Sequence, residues 1–184
     1  MKPIILLIGG TAGVGKTTIG KSVSEKCNIA HRMGTGFIRE IVRNRIKKDE
    51  NSALFTYTFR SDDPVKTIRS QAKILRKDIL GVIARAKKEG TSIIIEGNHL
   101  LPEIYSGIKG TKLILLKVSA KKKHVRMLNG KTHAKRKIGE KDIRNIRKIQ
   151  DYLIKTGEKK KVLIIENDSI PKTTEIIGKR LAEK

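Results

Sequence analysis

The chain has 184 residues, of which 42 are Lys or Arg and 18 Asp or Glu, giving a formal charge of +24. That length suits one α/β domain over 1–184 and is short for two. The lone Cys27 excludes an internal disulfide, and no apolar run approaches the roughly 18–20 residues of a membrane-spanning helix.

The first expected element is a buried strand near 3–8, carried by Ile4-Ile5-Leu6-Leu7-Ile8. With Met-Lys-Pro running straight into it, no signal peptide is expected and the setting is read as cytoplasmic. Behind the strand, Gly10-Thr11-Ala12-Gly13-Val14-Gly15-Lys16-Thr17 fits G-x-x-x-x-G-K-[ST] at every fixed position, and a helical pattern opens from about Gly15 to Cys27. Strand, glycine loop and helix in this order are the context of a phosphate-binding loop. Glycines let successive backbone N–H groups turn inward around a phosphate without Cβ clashes. The segment Gly10, Thr11, Ala12, Gly13, Val14, Gly15, Lys16, Thr17 and Thr18 is therefore expected to hold the triphosphate of ATP. Lys16 would reach the β- and γ-phosphates, and Thr17 would offer its hydroxyl to Mg²⁺. Cys27, at the end of this helix, reads as a packing residue.

A short strand near Ile29–Met33 comes next, then a helix from about Thr35 to Lys48 with Phe37, Ile38, Ile41, Val42 and Ile46 on one face. Phe55, Tyr57 and Phe59 follow at period two. They either wall a pocket or stack on bases, or they pack an extended connector onto the core. Asp63 and Pro64 read as the N-cap and first residue of a helix whose apolar stripe is Ile68, Ala72, Leu75, Ile79, Ile83 and Ala86, ended by Gly90. Strands are expected at Ser92–Glu96, Lys112–Val118 and Val162–Ile165. A basic helical segment of about 120–156, broken near Gly130 and Gly139, lies between the last two, and a helix over 171–183 closes the chain. Strands without polar alternation, separated by helices, predict a parallel sheet covered on both faces. With the glycine loop after its first strand, this is the α/β P-loop NTPase fold in its small-kinase form.

Phosphoryl transfer needs alignment, charge neutralisation, a place for Mg²⁺ and exclusion of water. Glu96 closes a buried strand where an acid can stand beside the metal, and Gly97 suggests a close backbone approach there. His99 can be structural or functional. A lid is expected at about 119–140, rich in Lys121, Lys122, Lys123 and Arg126. Arg126, Arg136 and Arg144 are the candidates for balancing charge on the transferring group. Residues 121–148 hold twelve basic and two acidic residues, a density that also admits a nucleic-acid partner.

These pieces together resemble the archaeal 2-phosphoglycerate kinase family. The similar stretches are Gly9–Ile19, Phe37–Arg43, Ile94–Pro102 and Ile146–Leu153 with the strand after it. The resemblance implies transfer of the ATP γ-phosphate to the 3-hydroxyl of 2-phosphoglycerate, giving 2,3-bisphosphoglycerate, and a strand order of 2-3-1-4-5. It implicates Lys16, Thr17, Arg39, Glu96 and His99, with Arg39 anchoring the acceptor's anionic groups. The chain departs from the family pattern at Asn98, where an apolar residue is expected. It departs again at Thr35-Gly36-Phe37, where a Ser/Thr-Asp pair is expected. Glu40, Asp62 or Asp63 could stand in for that Asp. The leading expectation is a kinase for a small phosphorylated hydroxy acid. The alternatives are an RNA, DNA or nucleotide hydroxyl as acceptor, and a non-catalytic ATP-binding module.

Overall fold

The computed structural model describes residues 2–49, 51–130 and 136–182. The elements in chain order are β1 (Ile5–Gly9), α1 (Lys16–Lys26), β2 (His31–Gly34), α2 (Thr35–Arg43), α3 (Pro64–Lys88), β3 (Ile93–Gly97) and α4 (Pro102–Tyr105). They continue with β4 (Lys112–Lys117), α5 (Lys121–Leu128), α6 (Glu140–Lys159), β5 (Leu163–Glu166) and α7 (Ile170–Ala182). All strand pairs are parallel and the order is β2-β3-β1-β4-β5, the arrangement the resemblance implied.

Alternation along the strands divides the core into two layers. Ile5, Leu7, Ile93 and Ile95 pack with Ile38 and Val42 of α2 and Leu75, Ile79 and Ile83 of α3. Leu6, Ile8, Ile94, Ile114 and Leu116 face the other way, onto Ile19 and Val23 of α1 and Ile177 of α7. Every residue of β1 is buried, which is why it reads as an uninterrupted apolar run.

The expected start of α3 holds: Asp63 Oδ1 accepts from the Lys66 N–H at 2.9 Å, with Pro64 at the first position. Two expectations are corrected. Ile29 is not in β2, because α1 ends in a tight turn in which Asn28 takes φ +50° and Ile29 N–H bonds Ser24 O at 2.8 Å. Only Ile38 and Val42 of the α2 stripe are buried; Phe37 and Ile41 are 77% and 53% exposed, and the helix stops at Arg43. Five apolar positions spread over that arc cannot all meet one sheet face. Among the described residues, no helix is long and apolar enough to cross a membrane.

Candidate active site

The loop between β1 and α1 is shaped by its glycines and held from behind. Gly13 and Gly15 have φ of +76° and +85°, and a Cβ on either would stand 2.5 Å from Leu128 or from Asn167, respectively. His124 of α5 donates its Nε2–H to Ala12 O at 2.8 Å, and Asn167, just after β5, donates to Val14 O at 2.9 Å. Thr11 donates its hydroxyl to Ile146 O of α6 at 3.2 Å. Three elements remote in sequence thus fix a loop whose N–H groups are left to turn toward an anion.

Lys16 sits inside this loop and donates to Thr11 O at 2.6 Å. Burial pulls its pKa down to about 8, against the attraction of Glu96 and with added repulsion from Arg136. Glu96, at the end of β3, is pushed up by burial and pulled back by Lys16 and the Thr17 hydroxyl. Its Oε2 is buried without a hydrogen-bond partner. An orphaned carboxylate oxygen beside a threonine hydroxyl, at the mouth of a phosphate loop, fits Mg²⁺. That ion takes one or two protein oxygens and fills its shell with water and phosphate. No group of three or more His, Cys, Asp or Glu among the described residues offers an all-protein metal cage instead.

A cleft of about 790 Å³ runs from the loop, past Thr17, Thr18 and Glu96, to a second wall formed by α2 and the segment 55–59. Two 3-10 turns, Ser52–Phe55 and Thr58–Arg60, build that wall. Phe59 is buried in a small cluster with Leu128 and Ile146, while Tyr57 stacks on it at 5.4 Å and is 45% exposed. Both sequence readings of the aromatic trio therefore have a part in the outcome: Phe59 packs the connector, and Phe55, Tyr57 and Phe59 all line the cleft.

The expected site residues fall into place unevenly. Arg39 lines the cleft, but its Nη2 donates to the Leu54 carbonyl and to Thr56 O at 3.0 Å. Arg43 donates from Nη1 to both carboxylate oxygens of Glu40 at 2.8 Å, and its guanidinium lies 4.8 Å over the Phe55 ring. Of the lid candidates, Arg126 and Arg144 are exposed and do not line the cleft, and Arg144 faces Glu140 at 3.7 Å. Arg136 does line it, 5.8 Å over Tyr57. The expected lid at 119–140 includes 131–135, which lie outside the described residues. Asp63 caps α3 and Asp62 pairs with Lys141 at 3.2 Å, so Glu40 is the one of the three substitute carboxylates that lines the cleft.

Gln71 was missed from the sequence. It accepts from His99 Nε2–H at 2.9 Å and donates to Ala53 O and Thr56 O at 2.6 and 3.0 Å. The signal was a lone amide inside the stripe Ile68, Ala72, Leu75. Because Gln71 Oε1 must accept, His99 carries its proton on Nε2, and Thr35 donates its hydroxyl to Nδ1 at 2.8 Å. Burial first, then Arg39 and Lys16, drives the His99 pKa down to about 3.

That depression predicts acid lability of known sign. An unfolded chain takes up a proton here below about pH 6.5, which the fold refuses until about 3. Stability present above 6.5 is lost on acidification, by about 2 kcal/mol from this group between 6.5 and 5. Urea unfolding at the two pH values should show a drop that shrinks in His99→Gln.

The five-stranded parallel sheet with a glycine loop after β1 is the P-loop fold, and solved structures share it. Shikimate kinase from Acinetobacter baumannii in complex with shikimate superposes with a TM-score of 0.63 at 12% identity, covering 100% of this chain and 96% of that one. Deoxyadenosine kinase from M. mycoides gives 0.54 at 16% identity, with 98% and 100% covered. At the level of sequence, the chain is a homologue of the archaeal proteins named 2-phosphoglycerate kinase, as its motifs implied. Those of Methanocaldococcus jannaschii and Pyrococcus furiosus are each 31% identical to it, over 98% and 99% of its length. The chain spans 65% of either protein, just under two thirds of the curated relatives it matches. No protein-family model matches it.

Proposed function

We propose that the chain is an Mg²⁺- and ATP-dependent kinase that phosphorylates a hydroxyl of a small anionic acceptor, with 2-phosphoglycerate the first candidate. The observation that carries this reading is the continuous cleft from Lys16 and Glu96 to a wall bearing Arg43 and Arg136. Homology to 2-phosphoglycerate kinases along nearly the whole of this chain, which spans 65% of theirs, supports the choice of acceptor.

In this reading the loop N–H groups and Lys16 take the triphosphate, and Lys16 exchanges the Thr11 carbonyl for phosphate oxygen. Thr17 and Glu96 hold Mg²⁺, which supplies neutralisation of phosphate charge. Arg136, one of the three arginines the sequence offered for this part, approaches the transferring group, and Arg126, which does not line the cleft, does not. Arg39 acts through the wall it holds, and Arg43 faces the acceptor's anionic groups. A loose transition state asks for positioning and charge stabilisation more than for a strong base, so Gly36 in place of an Asp does not stop the reaction. Glu40 is the carboxylate nearest to the acceptor side.

The free loop imposes a pH limit. Lys16 is charged below its pKa of about 8. Nucleotide affinity should hold steady to that point and then fall by up to about tenfold per pH unit. Titration of a fluorescent ATP analogue from pH 6 to 9.5 checks this, and Lys16→Arg should lose the break.

A second reading rests on the exposed rings of Phe37 and Tyr57 at the cleft mouth, which suit an acceptor carrying a flat base. Nucleic acid itself gains no support. Lys123 holds the carbonyls of Asn167 and Asp168, and Arg147 those of Val118 and Ser119, so part of the basic segment is internal structure. The test is acceptor-dependent ADP formation with 2-phosphoglycerate, glycerate, nucleosides, nucleoside monophosphates and RNA. Stimulation by 2-phosphoglycerate supports the proposal; stimulation by nucleosides or monophosphates alone moves it to the second reading.

A further inference from the structure

The wall of the cleft is suspended from one buried chain of hydrogen bonds. Thr35 opens α2, His99 follows β3, and Gln71 lies on α3; all three are buried. Thr35 donates to His99 Nδ1 at 2.8 Å, and His99 Nε2–H donates to Gln71 Oε1 at 2.9 Å. The Gln71 amide then spans Ala53 O and Thr56 O, and Arg39 takes Leu54 O and again Thr56 O. Three carbonyls of the segment that leads into Tyr57 are thereby held by two side chains. The far end of the wall is pinned separately, by Asn145 on Phe59 O and Ser61 O at 2.9 and 3.1 Å.

The polarity of this chain runs one way. Arg39 and Gln71 Nε2 are donors, so Gln71 must present Oε1 to the imidazole. A charged imidazole would turn Thr35 from donor to acceptor and put a buried cation beside Arg39. A flipped tautomer would face Gln71 with a lone pair against a carbonyl oxygen. The neutral Nε2–H form satisfies both ring nitrogens without burying a second cation, and a half-satisfied buried network is costly.

We propose that Thr35, His99 and Gln71 form a positioning relay for the acceptor, in which the imidazole fixes the Gln71 amide and so sets the distance of the 53–57 wall from the phosphate loop. The side-chain hydrogen bonds of the three reach no residue of the 10–17 loop, which is held by His124, Asn167 and Ile146. The relay therefore governs acceptor binding and leaves nucleotide binding alone. As a statement about an acceptor it rests on the proposed kinase reading.

The test uses the isosteric variants Thr35→Val and Gln71→Met, with Thr35→Ser as the conservative control. In both disrupting variants, amide exchange at 53–57 should quicken about tenfold while that at 10–17 stays put. The acceptor KM should rise about tenfold with the ATP KM held within about twofold, and Thr35→Ser should restore the acceptor KM. The ¹⁵N shifts of His99 should report a neutral Nε2–H imidazole from pH 8 to 5. Equal rises in both KM values, or faster exchange with an unmoved acceptor KM, would overturn the relay, as would an Nδ1–H or charged imidazole. If wild-type protein phosphorylates nothing in the acceptor panel, the kinase reading fails by itself. The relay is then judged by exchange and the imidazole: loosening confined to 53–57 supports it, and loosening that reaches 10–17 overturns it.

Discussion

Lys16→Ala should lower phosphoryl transfer about a thousandfold with the fold intact. The ammonium is buried in the loop, 2.6 Å from Thr11 O, and faces Glu96 across the site. Among the described residues no other lysine lines the cleft, and the arginines that do are Arg39 and Arg43 of α2 and Arg136 beside Tyr57. The charge that develops on the transferring group would lose its nearest partner, in a place where water cannot substitute cheaply. Folding should not suffer, because removing a buried ammonium also removes its desolvation cost. Single-turnover transfer and thermal melting of the same variant separate the two effects. A loss of melting temperature equal to the loss of activity would make Lys16 a structural residue.

Gly97→Ala should be the most damaging small substitution in the site, costing about 3 kcal/mol or roughly 10 °C in Tm. A Cβ at Gly97 would stand 1.7 Å from Thr35 Oγ1, 2.7 Å from its Cβ and 2.9 Å from its Cγ2. Rotating Thr35 cannot relieve this, since its own Cβ is too near, so the start of α2 must move away from the end of β3. Thermal unfolding of the Gly97→Ala protein checks the prediction. A Gly97→Ala protein with wild-type Tm would mean that the α2–β3 junction is looser than described.

What the sequence revealed followed from local pattern. The β1 run, the loop glycines, the Asp63–Pro64 start and the α3 stripe each depend on neighbours within a turn or two, and all were legible. The close approach expected at Gly97 was visible because a glycine at the end of a buried strand has few other uses. The Thr35–His99–Gln71 chain was not, because its bonds join residues 64 and 28 positions apart. Periodicity reports that Gln71 lies in an apolar stripe and is silent on its partner. The same limit applies to the arginines. Arg126 and Arg136 are equivalent as letters, and only the tertiary structure shows that Arg136 stands over Tyr57. On α2 the apolar pattern was real but broader than the face available, so Phe37 was left at the cleft and Ile41 exposed.

The most direct test of the central claim follows the γ-phosphate itself. Protein, Mg²⁺, γ-labelled ATP and 2-phosphoglycerate are incubated together and the label is traced by chromatography. Label should appear in a doubly phosphorylated glycerate and be absent when Lys16 is Ala. Label found only in inorganic phosphate, at a rate indifferent to the acceptor, would contradict the claim.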